Sequence, residues 1–175
     1  MPYLDCQRRQ VKNMDKTEIG GILHRTDLAE ISLMSIPNRP GVAGEILEAL
    51  GNRRISVRLI VQCIDPQQRT HILLCIVQED LESALSAVED IRSKVGAGEV
   101  THRPQVAMVS IFGPEFQERP GLAGAMFSAL ASAGIDIWAI STSIATVSCL
   151  IDVDRIEEAI EALHNTFEVS TEWQI

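Results

Sequence analysis

Residues 39–62 read RPGVAGEILEALGNRRISVRLIVQ, and residues 119–142 read RPGLAGAMFSALASAGIDIWAIST. At a shift of 80 positions they share Arg39/Arg119, Pro40/Pro120, Gly41/Gly121, Ala43/Ala123, Gly44/Gly124, Ala49/Ala129, Leu50/Leu130, Ile55/Ile135 and Ile60/Ile140. A repeat this long is a whole supersecondary unit with an apolar face to bury, so the chain must fold into two like halves. Two copies of ~75–80 residues make a duplicated domain and not a solenoid. Each copy is near the lower size at which one core sustains itself, so packing of the copies on each other or on another chain is expected.

The pattern along the chain supplies the elements. Residues 1–17 are polar without a period and read as a mobile leader. EIGGILH at 18–24 is a short strand that adds an edge to a sheet, and AEISLMSI at 29–36, apolar on both faces, is a central strand. PNRPG then stops it: proline presets φ for a helix's first turn, and glycine admits a close backbone approach. Val42, Ile46, Leu47 and Leu50 share one helical face, and Gly51 or Asn52 ends the helix. Strands at 55–64 and 70–77, a helix over 79–95 closed by Gly96 and Gly98, and a strand at 99–103 complete a βαββαβ unit. The second copy has strands at 106–112, 135–142, 145–153 and 168–173, with helices over 120–132 and 155–167. The fold class is α+β: two ferredoxin-like units in tandem, each an antiparallel sheet with both helices on one face. The expected division is a leader at 1–17, a first domain at 18–103 that includes the extra strand at 18–24, and a second domain at 104–175.

Charge and composition exclude several functions. A formal net charge of −9 argues against nucleic acid, which needs a basic face. No stretch approaches twenty apolar residues and no export signal opens the chain, so a cytoplasmic location without membrane contact is expected. Cys6, Cys63, Cys75 and Cys149 have neither zinc-site nor disulfide-framework spacing, and His24, His71, His102 and His164 fall in different elements. Neither a metal nor a cofactor is expected, and catalysis by this chain is not expected either: phosphate-binding glycine motifs and a nucleophile elbow are both missing.

The one chemical feature used twice is the strand, proline, glycine, helix junction. A helix N-terminus presents unsatisfied N–H groups and partial positive charge, a natural seat for a small carboxylate. The same residues serve equally well as a tight connection, and the residues alone leave both readings open.

The pattern P-[ND]-R-P-G-[VI]-A, then L-x-x-x-x-I-x-V and I-V-Q, with R-P-G-[LI]-A and I-S-T-S in the second copy, resembles the ACT-domain pair at the C-terminal end of aspartate kinases. The similarity runs from about residue 18 to residue 167 and includes VSCLID and ALHNTF. It implies a tandem ACT regulatory region or free regulatory subunit, non-catalytic, that associates side by side with a second copy as a homodimer. In that family lysine or threonine binds at the ACT interface and signals end-product abundance to an aspartate kinase catalytic subunit, which is feedback control of lysine, threonine and methionine biosynthesis. The effector positions carried over are Asn38, Arg39, Pro40, Gly41, Val42, Ala43, Ser56, Arg58 and Gln62 in the first copy. In the second they are Gln117, Arg119, Gly121, Leu122, Ala123, Asp136, Ser141 and Thr142. Ser56 and Arg58 stand where the family has Asn and Asp, Asp136 and Trp138 where it has Asn and a polar residue, and Ile144 in place of a Glu. His71 stands where the family often has Asp. Arginine at 58 reverses the local field and would repel a lysine ammonium. The alternative function is a degenerate ACT pair serving as an oligomerisation scaffold, with Arg58 and Trp138 as subunit contacts.

Overall fold

The computed structural model describes residues 16–113 and 120–170. The strands are β1 (Thr17–Ile19), β2 (Gly21–Pro37), β3 (Leu59–Ile64), β4 (Arg69–Val77), β5 (Glu99–Phe112), β6 (Ala139–Thr142), β7 (Thr146–Asp152) and β8 (Phe167–Val169). The helices are α1 (Val42–Asn52), α2 (Leu81–Val95), α3 (Leu122–Ser132) and α4 (Ile156–Thr166). A short 3-10 turn leads into α2 and another into α4.

Six strands make one antiparallel sheet in the order β3-β4-β2-β5-β7-β6. The expected separate strands at 18–24 and 29–36 are instead β1 and the unbroken β2, and those at 99–103 and 106–112 merge into β5. Each long strand serves both copies. Residues 28–34 of β2 lie between β4 and the first half of β5, while residues 21–25 pair with the second half of β5, which also pairs β7. The copies thus exchange strands: β2 supplies the fourth strand of the second copy's sheet, and β5 supplies that of the first. The strand expected at 168–173 does not join this sheet, because β2 already occupies that edge; β8 pairs in parallel with β1. Thr17, read as leader, belongs to β1, and Ile19 enters the second copy's core. Residues 1–15 of the leader and 171–173 of that strand lie outside the described residues.

Pro104 lacks an N–H and cannot serve a regular ladder. It sits where the β2–β5 register shifts, around Leu28, so the bulge absorbs the lost bond and the strand continues.

Apolar alternation fixes which face is covered. Ala29, Ile31 and Leu33 of β2 meet Ile46 and Leu50 of α1 and Ala84, Ala87 and Val88 of α2, all buried. Ala107, Val109 and Ile111 of β5 meet Met126 and Leu130 of α3 and Ala159 and Leu163 of α4. A third cluster, Leu28, Leu59, Cys75, Val106, Ala139 and Leu150, forms on the opposite face, where the starts of β3 and β6 come together. Burial of this kind stabilises by about 25 cal/mol per Å² of apolar surface removed from water. Among the described residues no helix is long and apolar enough to cross a membrane.

Candidate functional site

The N-terminus of α1 opens a cleft of about 400 Å³ lined by Asn38, Arg39, Pro40, Gly41, Val42, Ala43, Gly44, Gln62 and Thr70. Gly41 caps the helix at φ 92°, ψ −12°, with no side chain bonded to the cap. A Cβ there would meet only Glu45 Oε1, at 4.0 Å. Glycine is therefore required by its left-handed backbone, no protein atom lying close enough to exclude a side chain, and Pro40 lies just outside the helix instead of in its first turn. The first intrahelical bond is Glu45 N–H to Gly41 C=O at 3.0 Å. The N–H groups of Val42, Ala43 and Gly44, ahead of it, have no intrahelical acceptor and point out of the helix end.

Besides Arg39, the polar side chains of the walls are the neutral Asn38, Gln62 and Thr70, beside apolar Pro40, Val42 and Ala43. The buried Thr70 hydroxyl donates to Asn38 Oδ1 at 3.4 Å. Gln62, exposed on β3, faces across from the junction. Arg39 lends its backbone, but its guanidinium is held by Glu45 in a bidentate pair at 2.6 and 3.2 Å. Lys94 adds a second cation 3.4 Å from the same carboxylate. The Arg39 hydrogen bond, followed by that of Lys94, lowers the Glu45 pKa to about 2.

Beyond the cleft, Asp65 and His71 set the neighbouring hairpin. Asp65 accepts from the Arg69 N–H at 2.8 Å and pairs with His71 Nε2 at 3.0 Å. His71 Nδ1 accepts the Ser35 N–H at 3.4 Å, where β2 bulges with Ser35 at φ 56°.

The second copy repeats the backbone seat. Gly121 caps α3 at φ 98°, ψ −13°, again without a side-chain cap, and Ala125 N–H bonds Gly121 C=O at 2.9 Å. Leu122 is buried and Ala123 half-buried, as Val42 and Ala43 are. Thr142, at the end of β6, is the positional counterpart of Gln62, with Ser141 beside it. Gln117 and Arg119 lie outside the described residues.

The remaining carried-over positions are not in the cleft. Ser56 and Arg58 precede β3, and four positions from Arg58 to Gln62 span ~13 Å at strand rise. Arg58 is exposed, with its N–H on Cys75 C=O at 2.7 Å. Asp136 is exposed near Arg155. Trp138 lies under Arg103, whose guanidinium carbon is 3.9 Å from the ring centroid, and its Nε1–H donates to Asp152 at 3.1 Å. Glu30, fully buried, pairs with Arg103 and accepts the Ser32 hydroxyl. It was overlooked in the sequence, although a lone acid inside the apolar run AEISLMSI signals a buried partner. Thr70 was also overlooked, and there strand patterning offered no such signal. Among the described residues no group of three or more His, Cys, Asp and Glu side chains comes together to hold a metal.

One ACT-domain model matches residues 30–96, and a second matches residues 109–167. The regulatory subunit of aspartate kinase from Thermus thermophilus, in its ligand-free form, aligns with a TM-score of 0.80 at 33% identity, covering 86% of this chain and 99% of that one. The chain belongs to this family of tandem ACT regulatory proteins. A structure of aspartokinase alpha and beta subunits aligns with a TM-score of 0.79 at 31% identity, covering 85% of this chain and 97% of that one. The aspartokinase of Thermus thermophilus is 35% identical over 159 residues, which are 89% of this chain and 38% of that protein's length. The chain thus spans well under half of that aspartokinase and corresponds to its ACT regulatory part. Both ACT matches contain a strand, glycine, helix junction: Gly41 with α1 in the first, Gly121 with α3 in the second.

Proposed function

We propose that this ACT pair senses a small amino acid and passes its occupancy to an aspartate kinase catalytic subunit, in the cytoplasm, as feedback on lysine, threonine and methionine biosynthesis. The observation that carries this reading is the cleft at the α1 N-terminus, with free backbone N–H groups for a carboxylate and Asn38, Gln62 and Thr70 for the rest of a small polar molecule. The lining includes no acidic side chain, and its one cation, Arg39, is bound to Glu45. An effector with a neutral side chain, such as threonine, fits that lining better than lysine, whose ammonium would find no counter-charge. Ligand control requires different affinities for two arrangements of the pair, and the strand exchange between copies gives a shared element on which such arrangements can differ.

Self-association is part of the proposal. Ile60 and Ile64 on edge strand β3, and Ile140 and Ile144 at edge strand β6, are exposed at matching positions of the two copies. Unpaired edges carrying apolar side chains favour strand-to-strand association with a second copy. The same isoleucines favour the second reading, an assembly scaffold without effector.

Calorimetric titration with threonine, lysine and methionine separates the two. Threonine is expected to give saturable heat that Gly41→Val abolishes, with lysine weaker. Silence from all three at millimolar concentration removes the effector reading and leaves the scaffold. Adding the chain to a catalytic subunit, with and without threonine, tests the feedback step by the rate of aspartate phosphorylation.

A further inference from the structure

The two copies are related by a pseudo-two-fold axis through the crossing of β2 and β5, and the side chains beside that axis break the symmetry. The ladder places Glu30 opposite Arg103 and, at the equivalent position, Met108 opposite Arg25. Facing methionine, Arg25 closes locally on Asp27 through bonds of 2.8 and 2.7 Å. Arg103 instead joins the copies. Its Nη1–H donates to Glu30 Oε2 at 2.7 Å, and its guanidinium stacks on Trp138 at 3.9 Å. Glu30, 0% exposed, is held further by the Ser32 hydroxyl, and Trp138 by Asp152. Glu30 and Ser32 lie in the first copy's central strand; Trp138 and Asp152 belong to the second copy.

We infer that Arg103 is an inter-copy latch: gripped by Glu30 on β2 and stacked on Trp138 before β6, it makes displacement of either copy's strand felt by the other. Each contact is directional. Glu30 is fully buried while Arg103 keeps its outer side in water, so the carboxyl tolerates little drift of its partner: it has no water to turn to. A cation over a ring is attracted only while it stays near the face. From Glu30 the chain runs along β2 through the Ser35 bulge to Asn38 in the α1 cleft. From Trp138 it runs along β6 to Ser141 and Thr142. Use of the latch in effector control rests on the reading above; the latch itself does not.

The test is therefore made on the free chain. Glu30→Gln, Trp138→Leu and the double variant are compared by urea unfolding, once with Arg103 and once with Arg103→Met. Non-additivity between two sites that share a partner measures coupling through it. With Arg103 in place, the double variant is expected to lower the folding constant at least threefold less than the product of the two single effects. With Arg103→Met the product should hold. Additivity with Arg103 present, or equal non-additivity without it, overturns the inference. Should a Glu30 variant not fold, amide exchange on Arg103→Met decides: exchange must quicken in both residues 28–36 and residues 139–142, and a change confined to one copy overturns it. Failure of every amino acid to bind, with this coupling intact, would sink the sensor reading alone.

Discussion

Alanine at Gly41 and at Gly44 should change stability in opposite directions, although the two residues lie within one turn of α1. At Gly41 the backbone has φ 92°, and a Cβ would meet nothing nearer than Glu45 Oε1 at 4.0 Å. The penalty is then purely conformational, about 1–2 kcal/mol for an L-residue in the left-handed region. Gly44 is inside the helix and a Cβ would find no atom within 4 Å. There alanine gains ~0.5–1 kcal/mol by restricting the unfolded chain and improving helix propensity. For a chain of this size 1 kcal/mol moves the thermal midpoint by roughly 2–4 °C. Gly41→Ala should therefore lower the midpoint by ~2–8 °C and Gly44→Ala raise it by ~1–4 °C. Gly121→Ala and Gly124→Ala should repeat the pair, since Gly121 has φ 98° and neither site has a neighbour within 4 Å. Calorimetric melts of the four variants check this. Gly44 also lines the cleft, so Gly44→Ala should bind threonine more weakly while being more stable. A destabilised Gly44→Ala, or a neutral Gly41→Ala, would refute the reasoning.

Three further outcomes are expected. Gly96→Ala should lose more than Gly41→Ala, because it adds a contact 3.0 Å from Pro37 Cδ to a φ of 72°; the same melts measure it. Glu45 has a folded-state pKa lowered to about 2 from an ordinary 4.5, so its contribution is present above ~4.5 and is lost as pH falls through ~2. Acid titration of stability should accordingly be shallower in that window for Glu45→Gln, and the difference should shrink at high salt, since its partners Arg39 and Lys94 are exposed to solvent. Finally, burial pushes the Cys75 and Cys149 thiols up to about 12, whereas Cys63 is exposed. Of these three, only Cys63 should react with a thiol reagent in the folded protein, with the other two appearing on unfolding, as mass spectrometry would register.

The duplication, the order of elements and the glycine junctions were legible because each is a local pattern: helical spacing at Val42, Ile46 and Leu50, or Gly after Pro. Which strand pairs with which is not local. Neither EIGGILH at 18–24 nor EVTHR at 99–103 carries a pattern that says which sheet it joins, so the exchange between copies left no trace in periodicity. Pro104 reads as a strand end by the usual rule, yet a bulge absorbs its missing donor. At the cleft, residues 38–43, contiguous with the junction, come together with Gln62. Ser56 and Arg58, taken from the same motif, fall elsewhere, because a motif records sequence spacing whereas a strand carries each residue ~3.3 Å further along.

The two copies keep the same backbone and fasten their helices in different ways. In the first, Arg53 at the end of α1 reaches across to α2, donating to Ser83 C=O at 2.7 Å and pairing with Asp90 at 2.5 Å. The position equivalent to Arg53 is Ala133, which has no such reach. The second copy closes the same junction from the opposite side: Arg155, ahead of α4, donates to Ala133 C=O at 2.9 Å and Gly134 C=O at 3.1 Å. Glu158 orients it at 2.7 Å. Arginine suits either direction because its planar fork can bond a backbone carbonyl, in the first turn of α2 or past the end of α3, while keeping an acid partner. The consequence lies between the helices. Charges tie Glu45 on α1 to Lys94 on α2, whereas Ala125, Ser128, Ala129 and Ser132 leave a groove of about 500 Å³ beside α4. Repeated glycines give the copies one backbone seat each; unmatched charges make the helix pair behind each seat mechanically different. A ligand making the same contacts at both seats would therefore bind them with unequal net affinity, because the deformation each helix pair resists is part of the binding free energy.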